Sequence, residues 1–126
     1  MFKPNSVILY VSNVEESTDF YNKILSTEPI ESFKDFSLYS LTDGFMLGLQ
    51  QKDVIDPKAQ ENFGGFELSF SDISNEEVDR IYKYWEKIGV VIELPPQNLD
   101  FGYTSVGLDP DGHRLRVCAT DTTRLD

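Results

Sequence analysis

Several things are scarce in this chain. It has one cysteine, Cys118, and one histidine, His113. A lone cysteine excludes an intrachain disulfide framework, and a lone histidine excludes a multi-histidine metal cluster. Basic residues are few: 11 Lys and Arg face 22 Asp and Glu, for a net charge of -11 at pH 7. A phosphate backbone wants a Lys/Arg surface, so nucleic acid is disfavoured as a partner, and so are anionic membrane surfaces. The same charge favours solubility. No apolar run is long enough to cross a bilayer. The segment Met1 to Ser6 lacks the ordered zones of a signal peptide, so a cytoplasmic location is expected.

What remains is a globular composition. Apolar residues make up 40% and aromatics 13% of 126 residues, enough to bury a core in a single domain. The chain also echoes itself. Ser12-Asn13-Val14 follows an apolar strand and opens an amphipathic stretch, and Ser71-Asp72-Ile73 does so 59 residues later. Asp43-Gly44-Phe45-Met46-Leu47 precedes Asp111-Gly112-His113-Arg114-Leu115 by 68 residues. Two modules are expected, over about 5–51 and 65–119, with a polar linker at 52–64.

Val7 to Val11 reads as a buried strand. Asn13 and Glu16 form a capping box for a helix carrying Phe20, Tyr21, Ile24 and Leu25 on one face, closed by Pro29. Strands are expected over Ile30 to Phe33, Ser37 to Leu41 and Phe45 to Gln50, the last two joined at Asp43-Gly44. Phe66 to Phe70 opens the second module. Ser74 and Glu77 cap a helix with Val78, Ile81, Tyr82, Trp85 and Ile88 as its apolar stripe, ended by Gly89. Val90 to Leu94 reads as a short strand halted by Pro95-Pro96. Phe101 to Leu108 and His113 to Ala119 follow, on either side of Asp109-Pro110-Asp111-Gly112.

Each module is thus strand, helix, then about three strands. The fold class is α+β: two βαβββ modules in tandem, forming a curved mixed sheet with a cleft. Period-two alternation sorts the side chains. Ser6, Ile8 and Tyr10 should face the cleft, with Met46, Gly48 and Gln50. In the second module Gly65, Glu67 and Ser69 should do so, with Arg114, Arg116 and Cys118. His113 should point away from the cleft, and Cys118 has no cleft-facing histidine to activate it, so neither is read as catalytic.

The arrangement resembles the vicinal oxygen chelate superfamily, which includes glyoxalase I, extradiol dioxygenases and bleomycin-resistance proteins. Val11-Ser12-Asn13-Val14, Ser17, Phe20-Tyr21 and Asp109-Pro110-Asp111-Gly112-His113 carry the resemblance. Tyr10 to Tyr21 and Leu108 to Cys118 look closer still to its phenazine-antibiotic resistance members, which are understood to bind their drug rather than alter it. The superfamily's enzymes hold a divalent metal through two strand residues of each module, usually His, Glu or Gln. By motif those positions fall on Ser6, Gly48, Gly65 and Arg116. Glycine offers no side chain, serine is a poor neutral ligand and arginine is a fixed cation. No metal and no other cofactor is therefore expected.

The resemblance implies a small-molecule binding protein, sequestering an aromatic and perhaps acidic compound such as an antibiotic, and acting as a homodimer. No catalytic residue is assigned. The candidate ligand-binding residues are Arg116, Phe101, Tyr103, Glu67 and Ser6, with Gln50, Met46, Tyr39 and Phe36 as weaker ones. Arg116 would anchor an acidic group, or else pair internally with Glu67. Phe101 and Tyr103, in the aromatic–Gly segment ahead of Asp109, would stack on a flat ligand. In the phenazine-resistance members an aromatic stands where this chain has Gln50. Three alternatives stay open: a metal-dependent glyoxalase or dioxygenase, a metal-free enzyme with Glu67 as base and Arg116 stabilising an enolate, and a structural or interaction module with no ligand.

Overall fold

A computed structural model describes residues 1–60 and 66–123. The chain divides into two compact units, residues 1–62 and 63–126. The first strand of each module, its helix and its return strands follow the order read from the sequence. Gly65 lies outside the described residues, as does part of the expected linker.

In the first unit, β1 (Ser6–Val11) leads to α1 (Val14–Leu25), then β2 (Glu31–Ser32), β3 (Phe36–Ser40) and β4 (Met46–Gln51). The sheet order is β1-β4-β3-β2. β1 runs parallel to β4, and β3 is antiparallel to both β4 and β2. The Asn13 side chain accepts from the Glu16 backbone N–H, as the capping pattern requires, a contact worth about 1 kcal/mol. The helix stops short of Pro29, at Leu25, with Ser26 in the left-handed region at φ 53°. Leu9, Val11, Val14, Tyr21, Tyr39, Leu47 and Leu49 are buried.

The second unit repeats the plan. β5 (Glu67–Phe70), α2 (Asn75–Ile88), β6 (Val91–Leu99), β7 (Gly102–Leu108) and β8 (Arg114–Thr120) form a sheet of order β5-β8-β7-β6. β5 is parallel to β8; β7 is antiparallel to β8 and β6. Ser74 Oγ accepts from the Glu77 N–H, and Gly89 closes the helix at φ 84°. Val78, Trp85, Val90, Val106, Leu115 and Val117 are buried.

One expectation is corrected here. Pro95-Pro96 does not halt a strand, because β6 continues through both to Leu99. β6 lies at the edge of its sheet and its pairing with β7 shifts register between Leu94 and Gln97. At an edge bulge, proline's missing N–H costs no ladder bond.

Among the described residues no helix is long and apolar enough to cross a membrane.

Candidate functional site

Pairing register separates the two faces of each sheet. In the first unit Ser6, Met46 and Ser40 stand side by side, as do Ile8, Gly48 and Leu38, and then Tyr10, Gln50 and Phe36. These share the face turned away from α1. The opposite face carries Ser37 and Tyr39, and α1 meets both. Thr18 Oγ1 and Ser37 Oγ are 2.9 Å apart. The Tyr39 hydroxyl donates to the Thr18 carbonyl at 3.0 Å and lies 2.7 Å from the Asn22 amide.

Tyr39 is therefore not a lining residue of the open face. It is fully buried under α1, and burial, helped by the Asp19 charge, pushes its hydroxyl pKa up to about 12. Phe36 lies an odd number of positions away and takes the other face. Its ring and the Ile8 side chain close over Gly48, where a Cβ would stand 2.5 Å from Ile8 Cδ1 and 2.9 Å from Phe36 Cε1. The missing side chain of Gly48 is thus replaced by apolar packing from both neighbours. Gln50 lies between Tyr10 and Phe36, while its own amide donates to the Gln51 carbonyl at 3.1 Å. Tyr10, 43% exposed, takes the open face as alternation predicts, and adds an aromatic ring to the candidates named from the sequence. Strand register supplies the signal: the ring absent at Gln50 is present on both sides of it.

In the second unit, Glu67, Arg114 and Leu108 share one row; Ser69, Arg116 and Val106 share the next. This face is turned away from α2. Arg116 Nε donates to Glu67 Oε1 at 3.0 Å, with side-chain exposures of 15% and 36%. Its Nη1 lies 3.5 Å from Thr104 Oγ1, a weak contact at the edge of hydrogen-bond range. Its guanidinium carbon lies 5.3 Å from the centroid of the Phe101 ring, inside cation–π range. Arg114, the other arginine of β8, is paired with Glu93 at 2.5 Å. Arg116 therefore has an internal carboxylate partner as well as an aromatic one.

Phe101 and Tyr103 part company. The Tyr103 hydroxyl donates to Asp79 of α2 at 2.5 Å, so Tyr103 belongs to the helix side and does not line the face carrying Arg116. That hydrogen bond is the main cause of its raised pKa. Between the two rings, Gly102 has φ 137°, which breaks the alternation that would put them on one face. Any Cβ there would collide with the Ala119 carbonyl. Glycine's access to positive φ is needed at this corner.

Cys118 is buried on the Arg116 face, with its thiol 3.9 Å from the Phe101 carbonyl. His113 stands outside the site. Its Nδ1 lies 2.7 Å from Asp109 Oδ2, while Asp109 Oδ1 accepts from the backbone N–H groups of Asp111 and His113. The Phe66 ring packs edge-on against the imidazole. The group forms a clip that fixes the turn into β8.

The donor set at the metal-holding positions of the resembling enzymes can now be tested within each unit. Ser6 offers one hydroxyl, Gly48 nothing, and Arg116 a guanidinium already donating to a carboxylate. These do not suit a divalent ion, which wants carboxylate, imidazole or thiolate ligands. Among the described residues no group of His, Cys, Asp and Glu is gathered to hold a metal.

Repeated βαβββ units with these motifs define a class. The chain belongs to the glyoxalase/bleomycin resistance protein/dioxygenase superfamily, whose family model matches residues 3–117. It is 31% identical over 122 residues to the phenazine antibiotic resistance protein EhpR of Enterobacter agglomerans, covering 94% of this chain and 92% of that protein. Among solved structures, protein ATC0852 from Agrobacterium tumefaciens is 41% identical with a TM-score of 0.85, covering 96% of this chain and 99% of that one. A glyoxalase-related enzyme from Fulvimarina pelagi has the same fold at 19% identity and a TM-score of 0.81, covering 94% of this chain and 88% of that one.

Proposed function

We propose that this protein is a metal-independent small-molecule binding protein of the antibiotic-resistance type, which sequesters a planar aromatic compound. The observation that carries the reading is the contact of Arg116 with Phe101, 5.3 Å from guanidinium carbon to ring centroid. A flat ligand that joins this pair gains ring stacking, worth about 0.5–1.5 kcal/mol beyond its buried area. Desolvation of the guanidinium adds a cation–π contribution of about 1–2 kcal/mol. The likeness to a phenazine resistance protein over nearly the whole chain supports a ligand of that shape. The chemistry of Ser6, Gly48 and Arg116 supports independence from metal. Sequestration requires affinity and stoichiometry, and none of its steps needs a base or a nucleophile. Glu67, the candidate base, has Oε1 engaged by Arg116.

Isothermal titration with phenazine, on protein freed of divalent ions with a chelator, tests the reading. Saturable binding, with the compound recovered chemically unchanged, is expected. Binding that appears only after a divalent ion is restored would overturn metal independence, and conversion of the compound would overturn sequestration. The protein is further proposed to act as a homodimer; light scattering that gives the monomer mass at working concentration would contradict that.

A further inference from the structure

We infer that Glu67 sets the charge class of the ligand: the site takes a planar aromatic compound with an uncharged, hydrogen-bonding head group such as a carboxamide, and discriminates against the corresponding carboxylate. The inference rests on the reading of the Phe101–Arg116 face as a binding site for flat aromatics. An arginine alone would imply the opposite preference, because its planar fork matches a carboxylate. Here the fork is partly spent. Nε donates to Glu67 Oε1 at 3.0 Å, Nη1 is 3.5 Å from Thr104 Oγ1, and one face of the guanidinium meets the Phe101 ring. Among the described residues, the pair keeps Nη2 and the second N–H of Nη1 as donors and Glu67 Oε2 as an acceptor.

A carboxamide carries one acceptor and one donor group, so it can satisfy both. A carboxylate carries only acceptors. It can meet Nη2, but its charge then faces the charge of Glu67. At an effective dielectric of about 20, a like charge about 5 Å away takes back a factor of more than about a hundred, most of what the guanidinium's attraction supplies, and the carboxylate has no donor to offer Glu67 Oε2. The Glu67 side chain is 36% exposed, and solvent screening reduces the expected discrimination to about tenfold. The second arginine on this face does not tip the balance, because Arg114 is neutralised by Glu93. The net charge of the two pairs is zero.

The test compares phenazine, a phenazine carboxamide and the matching phenazine carboxylate by isothermal titration at neutral pH and low salt. The natural protein is expected to bind the carboxamide about tenfold more tightly than the carboxylate. Glu67→Gln keeps the shape of the side chain and removes its charge, so the order should invert in favour of the carboxylate. Both preferences should shrink as salt is raised. A natural protein that prefers the carboxylate, or binds both equally, overturns the inference and leaves the aromatic site standing. An unchanged ratio in Glu67→Gln overturns the assignment to Glu67. Failure of all three compounds to bind overturns the site itself, and the inference with it.

Discussion

Arg116 is held from two sides by its own unit: Glu67 accepts from its Nε at 3.0 Å, and the Phe101 ring lies 5.3 Å from its guanidinium carbon. The two contacts have different consequences. The ion pair fixes where the cation stands and cancels its charge. The ring supplies a flat apolar surface beside it. A cation in this setting is suited to hold an aromatic plane rather than to bind an anion.

Replacement of Phe101 by alanine should therefore weaken binding of phenazine by about tenfold to a few hundredfold, the combined worth of a lost stack and a lost cation–π contact. Calorimetry measures the affinity, and thermal unfolding without ligand checks that the fold is intact. Unchanged affinity would move the site elsewhere.

Tyr103→Phe and Tyr39→Phe separate the two faces of the sheets. Each removes a hydroxyl that serves a helix: Tyr103 bonds Asp79 of α2, and Tyr39 bonds Thr18 and lies against Asn22 of α1. Stability should fall by about 1 kcal/mol in each variant, more for Tyr39 because it is buried. Ligand affinity should not change. A loss of affinity without loss of stability in Tyr103→Phe would return that ring to the site.

Gly102→Ala should be among the most damaging single changes in the second unit. Its φ of 137° is strained for any side chain, and the added Cβ meets the Ala119 carbonyl. A destabilisation of at least about 2 kcal/mol in urea unfolding is expected. A folded variant of natural stability would show that the corner carrying Phe101 can relax.

His113 titrates the clip into β8. Its pKa is raised above the ordinary 6.5, chiefly by the hydrogen bond to Asp109, with the charges of Asp109 and Asp111 adding and burial opposing. A group whose pKa is higher folded than unfolded stabilises the fold fully below its unfolded value, and loses that contribution as pH rises through the folded value. Stability should therefore decline as pH is raised from below 6.5 through the folded pKa of His113. Since His113 is the only histidine, its ring protons report the titration directly by NMR. Asp109→Asn should lower the midpoint and flatten the decline; a midpoint at or below 6.5 in the natural protein would contradict the account.

Much of the fold was legible because its signals are local. Asn13 with Glu16 and Ser74 with Glu77 mark both helix starts, and both caps form as written. Alternation places Ser6, Ile8, Tyr10, Met46, Gly48 and Gln50 on one face. Errors arose where position in the sheet, rather than local pattern, decided. Pro95-Pro96 reads as a strand stop until β6 is known to lie at an edge. Tyr39 was grouped with Phe36 although an odd spacing along one strand sends them to opposite faces. Phe101 and Tyr103 share parity, and only the backbone turn at Gly102 separates them. The pairing of Arg116 with Glu67 depends on β5 lying beside β8, a contact between segments 49 residues apart, so the sequence left it as one of two options.

A flat aromatic compound is proposed to bind beside Phe101 and Arg116 without metal. Titration of isotope-labelled, chelator-treated protein with phenazine, followed by NMR at the Phe101 ring and the Arg116 Nε–H, tests it most directly. Saturable shifts at both groups, with one affinity and no need for a divalent ion, are predicted. Saturation of the protein with both signals unmoved would contradict the claim.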